Sequence, residues 1–367
     1  MKKFNEIFDD RTKYGTKLKT TEYQESGKYW IVDQGQDMIA GYSDKKEGSF
    51  EELPAIIFGD HTRTIKYINH PFFIGADGVK ILRSRIEGAN YKYLYYALKN
   101  VKIPNTGYNR HFKWLKDIKF NYPDKIVQEK IVQILDKVST IIVLQKETLD
   151  SLDILVKARF IEMFGDMLLN TMAWNEQPLD SMANVVSGIT KGRKTKDQHM
   201  TEVPYMAVSN VKDGYIDWST IKTIEATEQE ISQYRLLPND VLMTEGGDPD
   251  KLGRGAIIKE PLENCIHQNH IFRVRLNESM ILPGFFAEYL KHQKSKSYFL
   301  RCAKQTTGIA SINMRQLKAL PVLLPPLELQ EQFAAFVAQT DKSKVAVQKA
   351  LEEAQLLFDS LMQKYFG

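Results

Sequence analysis

Two stretches of this chain place apolar residues at alternating spacings of three and four. The first runs Ile131, Leu135, Val138, Ile142, Leu149, Leu152, Val156 and Met163, with Gln145 and Arg159 breaking the stripe. The second runs Phe333, Val337, Val347, Leu351, Ala354, Phe358, Leu361 and Tyr365, with Thr340 and Lys344 breaking it. This is the heptad pattern of helices that pack along a seam. Residues 124–164 contain neither Gly nor Pro; Pro123 precedes them and Gly165 follows, a favoured start and stop for a helix. Each helix would be about 60 Å long. The two could pack on each other as an antiparallel spacer, or each could merely close a neighbouring core. Length favours the spacer, because one domain cannot cover a stripe that long.

Outside the helices the pattern changes. Tyr29–Val32, Ala55–Phe58 and Val79–Leu82 are short β-rich runs between turn residues, and Val241–Met243, Ala256–Ile258 and Ile271–Val274 repeat the arrangement. Asn90–Lys99 and Phe285–His292 read as helices. The expected fold is mixed α/β (α+β): two globular units at 1–122 and 166–325, each followed by a long helix at 123–165 and 326–367.

The halves are related. Tyr122–Ile131 matches Leu324–Phe333, with Gln128 on Gln330 and Glu129 on Glu331, an offset of 330 − 128 = 202. The same offset carries Leu115-Lys116 onto Leu317-Lys318 and Phe164-Gly165 onto Phe366-Gly367. Upstream the match is weaker. Ala76–Lys80 faces Gln268–Phe272 at 268 − 76 = 192, Leu98 then faces Leu290, and Gly15-Thr16-Lys17 loosely resembles Gly188–Lys191. The helical parts keep their frame while the globular parts have drifted.

Composition narrows the class. The 367 residues suffice for at least two domains. Net charge is +4 and two cysteines occur, so an anionic partner is permitted and a disulfide framework is not expected. No signal peptide or membrane span is apparent, and a cytoplasmic protein is the expectation. Several loops cluster basic, amide and hydroxyl groups. In the first unit they are Lys13, Lys17 and Lys19; Gln34 and Gln36; His61 and Arg63; and Tyr108, Asn109, Arg110, His111 and Lys113. In the second they are Thr190, Lys191, Arg193, Lys194 and Lys196; Lys251 and Arg254; and Gln305, Thr306, Thr307, Ser311, Asn313 and Arg315. Such groups neutralise phosphates and pair with base edges, and they recur in both halves.

Catalytic signatures are absent from the sequence. There is no GxxxxGK[ST] phosphate loop and no Asn-Pro-Pro-aromatic motif; Asn121-Tyr-Pro-Asp124 fails the latter. No [Asp/Glu]-x-Lys follows Pro123-Asp124. Cys265-x-His267-x-x-His270 is a poor metal site: on a strand 265 and 267 share a face, 270 does not, and no fourth ligand is evident.

The layout of globular unit, long helix, globular unit, long helix resembles the specificity subunits of type I restriction–modification systems. The local marks are Gln34-Gly-Gln36 with Ile39-Ala-Gly-Tyr42, Pro325–Gln332, Leu361–Gly367, and the run Gly308…Leu317-Lys318…Pro321, echoed by Gly107…Leu115-Lys116. One departure is that residues 166–175 have no counterpart ahead of the first unit. The resemblance implies two target-recognition domains, each reading half of a bipartite, asymmetric site in double-stranded DNA, with the residues above as candidate contacts. It implies a helical spacer that fixes the gap and docks two modification subunits, which hold S-adenosylmethionine. It also implies restriction subunits as further partners. This chain would be a non-catalytic part of a DNA adenine methyltransferase or type I site-specific deoxyribonuclease complex, with no catalytic residue, cofactor or metal of its own. The competing readings are a protein-binding scaffold, and a methyltransferase or nuclease fragment.

Overall fold

The computed structural model describes residues 1–367 except 105, 108, 194–198, 249–251 and 307. It forms two compact units, Met1–Glu147 with Gln348–Gly367, and Thr148–Val347. These divisions fall inside the long helices, Lys125–Phe164 and Leu327–Phe366. The cores explain why. In the first unit Ile131, Leu135, Val138 and Ile142 of one helix and Ala354, Phe358 and Met362 of the other are buried with Phe4, Phe8, Ile56, Leu82, Tyr93 and Leu94. In the second unit Val156, Phe160 and Phe164 share a core with Phe333, Phe285, Phe286, Tyr289 and Val274. The first part of one helix thus meets the last part of the other in each unit, which is antiparallel pairing. Both packings left open above therefore hold: the helices pair, and each pair closes a globular core.

The breaks in the stripe have local causes. Thr340 is buried, and its hydroxyl donates to the Phe336 carbonyl at 3.0 Å, so it enters the seam without an unpaired group. Lys344 leaves the seam to reach Asp153 at 2.6 Å. Arg159 pairs with Glu162 at 2.7 Å while its neighbour Phe160 takes the buried place, one position off the expected stripe.

The repeat that was faint in sequence is plain in topology. The first unit has a four-stranded antiparallel sheet in the order Phe8–Asp10, Val79–Ser84, Ala55–Gly59, Ile65–Ile68. The second has Ala183–Ser187, Ile271–Leu276, Val241–Thr244, Gly255–Ile257 in the same roles. Each unit adds a three-stranded sheet with one parallel pair: Gly41–Ser43, Tyr29–Val32, Phe72–Ile74 in one, and Lys222–Ala226, Thr201–Met206, Ile266–His267 in the other. Ala55–Gly59 and Val241–Thr244 are buried at every position, as central strands covered on both faces must be, hence their unbroken apolar runs. Short antiparallel pairs, Lys2–Lys3 with Lys119–Phe120 and Asn175–Pro178 with Pro321–Leu324, bind the start of each unit to the strand before its long helix.

Two features anchor the helices. Asn90 caps Tyr91–Lys99, its side chain accepting from the Tyr93 N–H at 3.1 Å, the usual role of Asn at a helix start. At the head of each long helix a glutamine is buried. Gln128 donates to the Pro123 carbonyl at 2.8 Å, and Gln330 donates to those of Pro325 and Met280 at 2.9 and 3.1 Å while accepting from the Leu282 N–H at 2.8 Å. The glutamine of the repeat's Gln-Glu signature is therefore a packing device, while Glu129 and Glu331 are exposed.

Candidate nucleic-acid interface

The candidate loops of the first unit lie at the ends of its strands. Lys17, Gln34, His61 and Arg110 gather around the turn at Asp77-Gly78. Lys17 pairs with Asp77 at 2.8 Å. That contact, with Arg110 adding a weaker pull, holds the Asp77 carboxyl below its ordinary value. Gln34 is half-buried; its amide donates to the Asp77 carbonyl at 3.1 Å and its oxygen accepts from the His61 N–H at 3.2 Å. Gln34 thus ties three loops together, while Gln36 is exposed and donates to the Thr64 hydroxyl at 3.4 Å. Arg63 adopts a left-handed backbone (φ 62°) and donates to the Ile103 carbonyl at 3.3 Å. Lys13 and Lys113 are exposed beside exposed aromatic rings, 4.7 Å from the centre of Tyr14 and 5.3 Å from that of Trp114. Lys19, Asn109 and Arg110 are exposed; Tyr108 lies outside the described residues.

His111 departs from expectation. It is fully buried, its backbone N–H donates to the Asp60 carbonyl at 2.8 Å and its Nδ1 lies 3.0 Å from the same oxygen. In the second unit the equivalent backbone bond runs from Ile312 to Glu245 at 2.9 Å, and Ile312 is buried too. His111 therefore occupies a core position with no surface to offer DNA. Beyond it the offset of 202 sets exposed Lys113 opposite exposed Arg315, each in the first turn of a short helix, Phe112–Leu115 and Met314–Lys318.

The second unit also divides the candidates. Thr190 and Lys191 are exposed, but Arg193 is not free to meet a phosphate. Its guanidinium forks onto both carboxylate oxygens of Glu230 and donates to the Glu225 carbonyl at 3.1 Å. Glu230 in turn accepts from the Thr227 N–H at the head of helix Glu228–Tyr234. Basic residues read as a charge run thus split into exposed and internally paired members. Asn313 has a structural task, its side-chain oxygen accepting from the Gln316 N–H at 2.9 Å to cap helix Met314–Lys318. Ser311 is half-buried, paired across to Gly246 in a small sheet with Lys304–Thr306, the strand that carries Gln305 and Thr306. Arg254 borders a small cleft with Asp213, Lys291 and Lys296. Lys194, Lys196, Lys251 and Thr307 lie outside the described residues.

Two basic groups, Lys99 and Lys102, escaped the sequence reading. Arg63, Lys99 and Lys102 line one depression of about 640 Å³ with Gln36 and Tyr95. Lys99 sits at a helix end and Lys102 just past it, so only folding brings them to Arg63. At the supposed metal motif, Cys265 and His267 are wholly buried, and His270 is exposed beside Glu245. Burial pushes the Cys265 thiol up to about 12. Burial, with the nearby Arg273 charge, pushes His267 down to about 3. Both stay neutral. Among the described residues no group of three acidic, His or Cys side chains could hold a metal ion, and no helix is long and apolar enough to cross a membrane.

The sequence model of the type I restriction modification DNA specificity domain matches this chain twice, over residues 1–153 and 172–356. The chain belongs to this family. The two matches correspond to the two copies of the scaffold described above. A putative type I restriction enzyme MjaX specificity subunit from Methanocaldococcus jannaschii is 28% identical over 194 residues, 53% of this chain and 45% of that protein. The EcoKI specificity subunit of Escherichia coli is 26% identical over 169 residues, 44% of this chain and 36% of its own length. The matched segments thus span less than half of these curated relatives. The crystal structure of the type I restriction–modification S subunit from M. genitalium superposes over 100% of this chain and 95% of its own, with a TM-score of 0.60 at 17% identity. The fold is therefore shared with that structure despite little common sequence.

Proposed function

We propose that this chain is the DNA sequence-recognition subunit of a type I restriction–modification complex. Each globular unit reads one half of a bipartite, asymmetric site in double-stranded DNA. The long helices set the gap between halves and dock two modification subunits, which supply S-adenosylmethionine and methylate adenine; restriction subunits complete the nuclease. The chain itself contributes no catalytic group.

The observation that supports this best is the conserved scaffold with divergent loops. The same two sheets occur twice in the same strand order, while the residues at their exposed ends differ in kind: Lys17, Gln36, Arg110 and Lys113 in one, Thr190, Lys191, Arg254 and Arg315 in the other. Two copies of one frame presenting different donors suit two different half-sites. The helices bear exposed apolar residues, among them Ile134, Ile141, Leu144 and Leu356, which suits a surface covered by a partner.

Electrophoretic mobility shift at low salt, with and without a modification subunit, tests the reading. Sequence-selective binding by the complex is expected; a complex that binds all duplexes equally would refute it.

A further inference from the structure

Backbone bonds shared by the two units match them residue for residue at one crossing of each four-stranded sheet. In the first unit the Asp60 N–H donates to the Gly78 carbonyl at 2.7 Å, and the Asp60 carbonyl accepts from the His111 N–H at 2.8 Å. In the second the Glu245 N–H donates to the His270 carbonyl at 3.0 Å, and the Glu245 carbonyl accepts from the Ile312 N–H at 2.9 Å. Asp60 is thus equivalent to Glu245 (245 − 60 = 185) and Gly78 to His270 (270 − 78 = 192). His61 is then equivalent to Gly246 (246 − 61 = 185). Histidine and glycine have changed places. In the first unit the imidazole comes from position 61 and lies over the glycine opposite, where a Cβ on Gly78 would stand 2.8 Å from His61 Cδ2. In the second, position 246 has no room for a side chain, since a Cβ there would come within 2.9 Å of the Ala310 carbonyl oxygen. The imidazole comes instead from the facing strand, on His270. Each unit therefore places one imidazole at this crossing, delivered from opposite strands.

The surroundings of His270 show what it is placed to meet. The residue is exposed, and its Nδ1 lies 2.5 Å from Glu245 Oε2. Asp60 has no such role: it is buried and accepts from the Phe112 N–H at 2.7 Å. In the second unit Asn313 caps the corresponding short helix, which leaves the longer Glu245 side chain for the ring. A carboxylate accepting from Nδ1–H fixes the orientation of an imidazole and leaves Nε2 of the neutral ring as an acceptor. That Nε2 lies 3.4 Å from the Asn269 side-chain nitrogen, a donor of the amino type. The Ile189 carbonyl accepts from the Asn269 N–H at 3.0 Å, which sets His270 next to the loop carrying exposed Thr190 and Lys191. The Ile312 bond sets it next to the loop carrying exposed Arg315. Resting on the DNA-reading function proposed above, we infer that His270 is a specificity-determining residue of the second unit. Its Nε2 accepts from the exocyclic amino group of an adenine or cytosine at one position of a half-site, between cations of the kind that hold phosphates. Glu245 is the positioning residue that aims the ring.

The test uses the full chain with a modification subunit and a library of random-sequence duplexes, the bound duplexes being sequenced. The unaltered complex should enrich a bipartite site. His270→Ala should lower the preference for one amino-bearing base in one half-site about tenfold. It should leave the other half-site, and the slope of log affinity against log salt, unchanged. His270→Gln, whose amide oxygen can accept near the Nε2 position, should restore part of the preference. Glu245→Ala should relax the same position, and Glu245→Gln, which still accepts from Nδ1–H, should not. An unchanged base profile for His270→Ala, beside a selective unaltered complex, overturns the assignment of His270 and leaves the functional reading standing. Uniform weakening on all sequences with a salt slope reduced by about one overturns it too, because that marks a phosphate contact. If the unaltered complex enriches no sequence, the functional reading falls and the role of His270 falls with it.

Discussion

Arg193 and Lys191 are two residues apart in one basic loop, yet the structure gives them different work, and paired alanine substitutions separate the roles. Arg193 and Glu230 are 19% and 20% exposed at the side chain, so the ion pair is neither fully screened nor fully buried. Removing Arg193 costs two charge-assisted hydrogen bonds and one to a carbonyl, and leaves the Glu230 carboxylate to its hydrogen bonds with Thr227. Discounting for partial exposure, Arg193→Ala should destabilise the second unit by about 2 kcal/mol, lowering its melting temperature by roughly 4–8 °C. The pH dependence has a definite sign. Arg193 chiefly holds the Glu230 carboxyl below its ordinary value. Its stabilisation is therefore full above the unfolded glutamate range, about pH 4.3, and is lost as pH falls through the lower folded value. Lys191→Ala should leave the melting temperature unchanged but reduce the slope of log affinity for DNA against log salt by about one, the signature of one lost phosphate contact. Calorimetry and salt-titrated DNA binding by the modification complex read the two effects. An Arg193→Ala protein of unchanged stability with a reduced salt slope would refute the division of labour.

Gln330→Ala should cost about 3 kcal/mol, since the buried side chain makes three hydrogen bonds, and Gln128→Ala about 1–2 kcal/mol for its single bond; chemical denaturation should show that order. Because His267 is buried neutral and pushed down to about 3, the unfolded chain binds a proton that the folded chain refuses, so stability of the second unit should fall as pH drops from about 6.5. His267→Gln should flatten that part of the pH–stability curve. A fragment of residues 1–165 leaves Ile131, Leu135, Val138 and Ile142 without the Ala354, Phe358 and Met362 that cover them. It should dimerise through that seam by light scattering, and with a modification subunit should direct methylation to an interrupted palindrome.

The long helices were legible to within a residue or two because Pro123, Gly165 and a sustained heptad stripe mark them without tertiary help. The strands at Ala55–Gly59 and Val241–Thr244 were legible because central strands are apolar throughout. That the last part of the second helix closes the first unit's core was not legible, since sequence order does not reveal it. Nor could the loops be sorted. His111, Gln34, Arg193 and Asn313 carry the polar groups that contact DNA in general, and the structure spends those groups on Asp60, on the Asp77 turn, on Glu230 and on a helix cap. Only the backbone bonds shared by His111 and Ile312 reveal that the position is internal in both copies.

Sequencing of methylated genomic sites in cells that carry a modification subunit tests the central claim most directly. It would compare no specificity chain, this chain, and a chimera whose residues 176–320 come from a relative. A bipartite methylated site should appear only with this chain, and the chimera should change one half of it while preserving the other. Methylation at the same sites without the chain, or a chimera that alters both halves, would contradict recognition by two independent units.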